Sequence, residues 1–253
     1  MRKVYARIIK ITGLIFILCL WQLISSLNIL EPSLFPTPTE SFSTLLNLLL
    51  CNDLLKEILY TFQRVITGFS FATVLGILFG LIVGGNRILD KSLEGVIDFF
   101  RSIPVITLYP IFIMLFGIND EVKIAMTFWA TFWIVSLNTV YGVKQSIKVR
   151  RDVAKVYGAS RIQSFRWITF YEALPQIFIG MRIAISYALL AEIMCEMFMG
   201  SNFGIGQKIY ESNVKLSMPE LFALVAITGL LGIFVNRIFV VLEKRIIPWA
   251  GKL

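Results

Sequence analysis

Between Arg64 and Arg87 the chain runs through 22 consecutive residues, 65–86, without a charged side chain. A helix rises 1.5 Å per residue, so a run of ~20 apolar residues crosses a hydrocarbon layer ~30 Å thick. In lipid the backbone must satisfy its own hydrogen bonds, so a chain built of such runs folds as membrane helices. Runs of this kind recur at 11–30, 124–143 and, with Arg237 near its end, 221–242. Stretches 94–117 and 176–199 have spanning length but carry charges. Only 16% of the residues are charged, against ~25% in soluble domains. The expectation is an all-α membrane protein of about six transmembrane helices.

Taken in order, Arg2, Lys3, Arg7 and Lys10 precede the first run, which is long and lacks a small-residue cleavage site. That reads as an uncleaved first span with its N-terminus in the cytoplasm. Pro32, Pro36 and Pro38 mark a loop, and Thr37-Pro38-Thr39-Glu40 carries the signature of a capping box with proline at the first helical position. Residues 41–60 mix leucines with Asn47, Asn52, Asp53, Lys56 and Glu57, as an interfacial helix on the outer face would. Residues 1–60 thus form a first span with an outer interfacial segment, and 61–253 a core. Gly76 and Gly80 are four apart in the second span, a spacing that lets helices approach closely.

Arg87, Asp90 and Lys91 suggest a polar turn before the third span, where Pro104 and Pro110 predict kinks. Arg101 lies near the start of that span. The fifth span holds Arg182, Glu192 and Glu196, and the two glutamates, four apart, share a helix face. Ionisable residues at membrane depth usually face a partner or a water-filled path. Arg101, Pro104, Arg182, Glu192 and Glu196 are therefore candidate pathway residues; alternatively, the arginine and the glutamates snorkel at opposite interfaces. Cys19, Cys51 and Cys195 are odd in number and scattered, and histidine is absent, so neither a disulfide framework nor a metal site is expected.

Lysine and arginine are distributed unevenly. Of the 24, sixteen fall before the first span, between the second and third, within 144–166 or after the last span. Lys56, Arg64, Lys123, Lys208 and Lys215 fall on the other side. The positive-inside rule then sets both termini and the 144–166 loop in the cytoplasm. It also explains the net charge of +8 without invoking nucleic acid.

That loop, extended to about 144–175, is the most distinctive stretch. Asp152, beside Arg150 and Arg151, reads as opening a helix, Gly158 as a turn with positive φ, and a second helix as carrying Ile162, Phe165, Ile168 and Thr169 on one face. Two short helices joined by glycine make a projection able to dock in a partner's groove. The pattern Asp152, Ala154, Gly158, Ala159, Ile168 and Leu174-Pro175 resembles the "EAA" loop of binding-protein-dependent ABC transporter permeases. Val153 replaces the first alanine of that motif, and Phe170-Tyr171 its first Leu-Pro. Thr61-Phe62-Gln63-Arg64-Val65, Arg101-Ser102-Ile103-Pro104, Gly204-Ile205-Gly206 and the Glu243 to Trp249 tail are similar to the taurine, alkanesulfonate and nitrate branch.

The resemblance implies the type I importer permease fold in a prokaryotic inner membrane, and a permease homodimer with two cytoplasmic ATP-binding subunits and an extracytoplasmic solute-binding protein. It implies that Asp152, Ala154, Gly158, Ala159, Phe165, Ile168 and Pro175 form the ATPase-coupling loop. ATP would bind the partner, since this chain has no phosphate loop and needs no cofactor of its own. The rival readings are a stand-alone ion-coupled carrier using the glutamates, and an intramembrane enzyme, which the absence of histidine disfavours.

Overall fold

The structure, a computed structural model, describes residues 2–27, 31, 33–50, 53–146 and 148–249. Pro32, Cys51 and Asn52 lie outside the described residues. Every regular element among the described residues is helical: α1 (Arg2–Ser26), α2 (Pro38–Leu50), α3 (Asp53–Gly85), α4 (Arg87–Ser102), a 3-10 turn (Val105–Leu108), α5 (Tyr109–Phe116), α6 (Asp120–Lys144), α7 (Lys148–Val156), α8 (Arg161–Ser164), a π turn (Phe165–Thr169), α9 (Phe170–Met199), α10 (Ile205–Val214) and α11 (Met218–Ile246).

Four helices are long and apolar enough to cross a membrane: Leu54–Gly85, Asp120–Lys144, Arg161–Met199 and Met218–Ile246. A fifth crossing is possible through α4 and the segment Val105–Phe116, which meet at 88°. Among the described residues α1 contributes a shorter apolar stretch, Ile15–Ser26, so the count reaches four, or five with the broken pair, where about six spans were expected. The break corrects the expectation of a single kinked helix over 94–117. Ile103 is extended (φ −75°, ψ 118°), as the residue before a proline is driven to be, so α4 ends at Ser102. Pro110 is not a second kink, because it occupies the first turn of α5, where its missing N–H is harmless. Nor do Arg87, Asp90 and Lys91 form a turn: Asn86 caps α4 by accepting from the Ile88 N–H at 2.9 Å, and the three charges ride on its first two turns.

The capping box ahead of α2 forms as read. The Glu40 N–H donates to Thr37 Oγ1 at 3.2 Å and the Thr37 N–H donates back to Glu40 Oε2 at 2.9 Å. The segment 41–60 is not one interfacial helix, however. α2 stops at Leu50, and Lys56, Glu57 and Tyr60 belong to α3, which runs unbroken across position 60 into the second span.

α3, α6 and α9 make the centre of the bundle, with Val65, Phe69, Val135, Ala184, Ile185 and Ala188 in one core and α11 entering through Val235. α3 and α6 approach closely because α3 turns glycines toward α6. A Cβ on Gly80 would lie 2.5 Å from Thr139 Cβ, and one on Gly76 3.1 Å from the Phe132 carbonyl oxygen. The Gly76/Gly80 spacing thus serves packing inside one chain. Large apolar side chains such as Leu78, Ile82, Leu230 and Phe234 point outward, which suits a helix bundle set in lipid.

Candidate functional site

Two regions lie at opposite ends of the bundle. The first is α7 to the start of α9. Gly158 has φ +81°, the left-handed conformation expected of it. The Ala159 N–H donates to the Ala154 carbonyl and the Gly158 N–H to the Lys155 carbonyl, both at 2.9 Å. These are the paired bonds of a Schellman helix ending. Ala154 and Ala159 contribute backbone groups to this ending, and Gly158 contributes its left-handed conformation. Ser160 then caps α8, accepting from the Gln163 N–H at 3.2 Å, while Gln163 Oε1 accepts from the Ser160 N–H at 2.8 Å.

Two details of this segment differ from the sequence reading. α7 begins at Lys148, so Asp152 sits mid-helix and pairs with Lys155 at 3.3 Å instead of opening the helix. Ile162 does not share a face with Phe165 and Thr169: it is 80% exposed, whereas Thr169 is buried and Phe165 packs against Gly85 and the Val143, Ala173, Ile177 cluster. The change from α to π geometry at Phe165 turns the following side chains relative to Ile162, because a π turn adds a residue per turn. Arg150 binds Glu172 at 2.7 Å, tying α7 to α9. Between the two short helices lies a groove of about 460 Å³ lined by Ala154, Tyr157, Gly158, Ala159, Trp167 and Ile168. Val156, Tyr157 and Ile162, each at least 80% exposed, stand around it. Pro175 lies within α9 without ending it. Tyr171, where the motif has proline, stacks on Trp167 with centroids 6.2 Å apart and reaches Trp249 of the tail at the same distance.

The second region gathers the charges. Glu192 and Glu196 are fully buried. Neither is at the surface, and α3 supplies partners to Glu196 while α6 supplies one to Glu192. Arg64 donates through Nη1 to Glu196 Oε1 at 2.8 Å, Thr61 donates to the same carboxylate at 2.8 Å, and the Gly206 N–H donates to its other oxygen at 2.8 Å. Thr127 of α6 donates to Glu192 Oε2 at 2.9 Å. Arg64 Nη2 also meets Asp120 Oδ1 at 2.9 Å, and Glu57 accepts from the Gly204 N–H. The sequence reading grouped the glutamates with Arg101 and Arg182, and the arginine that pairs with Glu196 is Arg64. A signal was present: Glu57, Thr61 and Arg64 are four and three apart, a polar stripe on one face of an apolar helix.

Arg101 and Arg182 lie elsewhere. Arg101 pairs with Asp98 at 2.8 Å and, with Pro104, lines a cavity of about 420 Å³ at the α4–α5 break. Arg182 meets Glu243 of α11 at 3.5 Å beside a second cavity lined by Tyr187, Gly232 and Asn236.

Comparison with known proteins agrees with this fold. The chain is 32% identical over 246 residues to the bicarbonate transport system permease protein CmpB of Synechocystis sp., covering 94% of this chain and 88% of the relative. It is 26% identical over 239 residues to the putative aliphatic sulfonates transport permease protein SsuC of Bacillus subtilis, covering 92% and 84%. In fold it is similar to a chain of the MetNI methionine ABC transporter in an inward-facing conformation, with TM-score 0.56, 20% identity and coverage of 76% and 94%. Residues 72–248 match the family described as binding-protein-dependent transport system inner membrane component. The chain belongs to that family, as a transmembrane permease subunit of an ABC importer and not an enzyme.

Proposed function

We propose that this permease works as a homodimer in the inner membrane, both termini and α7–α8 in the cytoplasm, with two ATP-binding subunits seated on α7–α8 and a solute-binding protein on the opposite face. The observation that carries the reading is the glycine-capped α7–α8 projection. It exposes apolar side chains around a groove while Phe165 and the Arg150–Glu172 pair fix its base to α3 and α9. A helix pair held at its base and apolar at its tip fits the helix-in-groove mode, and it transmits rigid-body motion to the spans. Asp152, Ala154, Gly158, Ala159, Phe165, Ile168 and Pro175 carry the coupling, and ATP is bound by the partner.

Arg101 and Pro104 face the path at the α4–α5 elbow, with Arg182 at its second cavity. Glu196 and Glu192 act from behind the path by holding α9 to α3 and to α6. The relatives named for bicarbonate and aliphatic sulfonates are permeases for anions, which supports an anionic cargo here. Lipid covers the remaining apolar surface.

Reconstitution of the permease with its ATPase tests the reading. Addition of loaded binding protein should raise ATP hydrolysis and drive uptake, and Gly158→Val should lower both. Hydrolysis indifferent to the binding protein in the wild type would refute it.

A further inference from the structure

We propose that the outer cavity between α3, α6 and the loop after α9 receives a basic side chain of the extracytoplasmic partner, with Asp120 as its receptor and Arg64 as the group that carries the event inward. The proposal rests on the importer reading above and specifies how the outer face senses docking. Tyr60, Arg64, Asn119, Asp120, Lys123 and Ser201 line the cavity, whose volume is about 480 Å³.

The sign of the occupant follows from what the cavity exposes. The Arg64 and Lys123 side chains are only 5% and 6% exposed, whereas that of Asp120 is 52% exposed. An incoming group therefore meets the carboxylate first. Glu121 beside it is exposed and has no ion-pair partner among the described residues. Segments 31–64, 120–123 and 192–220, at this end of the bundle, together hold ten acidic side chains against five basic ones. A field of that sign attracts a basic partner surface and repels an acidic one.

The consequence lies one layer deeper. Arg64 Nη2 meets Asp120 Oδ1 at 2.9 Å, while its Nη1 donates to Glu196 and to the Phe203 carbonyl. Its Nε has no hydrogen-bond partner among the described residues, and neither has Glu192 Oε1, though the two buried atoms are 4.0 Å apart. A donor and an acceptor of opposite charge thus stand just out of reach, each with a bond unmade. A lysine or arginine that takes Asp120 removes the outward pull on the guanidinium, which then closes on Glu192. Lys123 keeps a partner meanwhile, because Ser201 Oγ accepts from it at 3.0 Å. Arg64 reaches α6 through Asp120 and α9 through the two glutamates, so its change of partner tightens α9 against α3 when the outer end is docked. Two arrangements this close in bonding differ little in free energy, and one docked charge suffices to choose between them.

The permease–ATPase complex in nanodiscs, titrated with the solute-binding protein that stimulates it, tests this through binding and hydrolysis together. Asp120→Asn should weaken binding about tenfold, as loss of one charge-assisted hydrogen bond does. It should also raise hydrolysis in the absence of binding protein about threefold, because Arg64 is already released. Glu192→Gln should leave binding within about twofold of the wild type while lowering the stimulation about fivefold. Unchanged or tighter binding by Asp120→Asn, a basal rate that does not rise, or full stimulation in Glu192→Gln would overturn the proposal, and tighter binding would point to an acidic occupant. Where Asp120→Asn does not assemble, the wild type decides. Its binding should weaken about tenfold as salt is raised, and salt-insensitive binding would overturn the proposal. A wild type that no loaded binding protein stimulates strikes the importer reading, whereas a stimulated wild type matched in every respect by Asp120→Asn strikes this site alone.

Discussion

Arg64 and Glu196 are 132 residues apart in the chain and 2.8 Å apart in the structure, both shielded from solvent. The pair clamps α9 to α3 at the end of the bundle opposite α7, and through Asp120 the same guanidinium reaches α6. Burying such charges is costly, but once they are buried, removing one partner leaves the other uncompensated, at ~3–5 kcal/mol. Glu196→Gln and Arg64→Met are each expected to destabilise the protein by about that much. The double variant should lose less than the sum of the two. Thermal unfolding in detergent, followed by size-exclusion fluorescence, measures all three, and strict additivity would refute the clamp.

Gly80 faces Thr139 so closely that any side chain must displace α6. Gly80→Val should cost ~1–3 kcal/mol through overpacking. Gly95 has nothing within 4 Å of its would-be Cβ, so Gly95→Ala should be tolerated. Unfolding temperatures of the two variants decide it, and equal stability would be inconsistent with the α3–α6 contact described.

Gly158 sits at φ +81° with open space around it, so the penalty for a substitution is conformational and not steric contact. Gly158→Val should strain the Schellman turn by ~1–2 kcal/mol and misdirect α8, leaving the spans inserted. Co-purification of the ATPase and uptake should both fall. Wild-type values of both would remove the turn from coupling.

Lysine and arginine concentrate at one end of the helices. In a cysteine-free background, a cysteine at Arg161 should react with a membrane-impermeant maleimide only after the cytoplasmic side is opened. One at Val214, 63% exposed at the far end of α10, should react in intact cells. Labelling of both from the same side would contradict the proposed orientation.

Tyr171 joins Trp167 of the coupling segment to Trp249 of the tail through rings at 6.2 Å. Such contacts are worth ~0.5–1.5 kcal/mol each. Tyr171→Ala and Trp249→Ala should each lower the uptake achieved per ATP hydrolysed more than they lower expression. Tyr171→Phe, which keeps the ring, should behave as wild type. A loss in Tyr171→Phe equal to that in Tyr171→Ala would show that the hydroxyl, not the stack, matters.

What the sequence determined by itself was whatever depends on neighbours within a turn or two. Uncharged runs, the Thr37–Glu40 cap, the left-handed Gly158 and the charge asymmetry are all local, and each was legible from spacing. The break at Ile103-Pro104 was half legible: a proline marks a disturbance, but whether a helix kinks or ends depends on what receives the freed ends. Only the tertiary structure decided the partner of Glu192 and Glu196. An intramembrane carboxylate announces that it needs a counter-charge, yet which arginine supplies it, Arg64 and not Arg101 or Arg182, is decided by the α3–α6–α9 packing. Likewise, a tryptophan reads the same in sequence whether or not its N–H is satisfied. That Trp129 and Trp133, whose indole N–H groups are buried without a partner, share the lining of a cavity with Arg101 follows from how the broken span lies against α6.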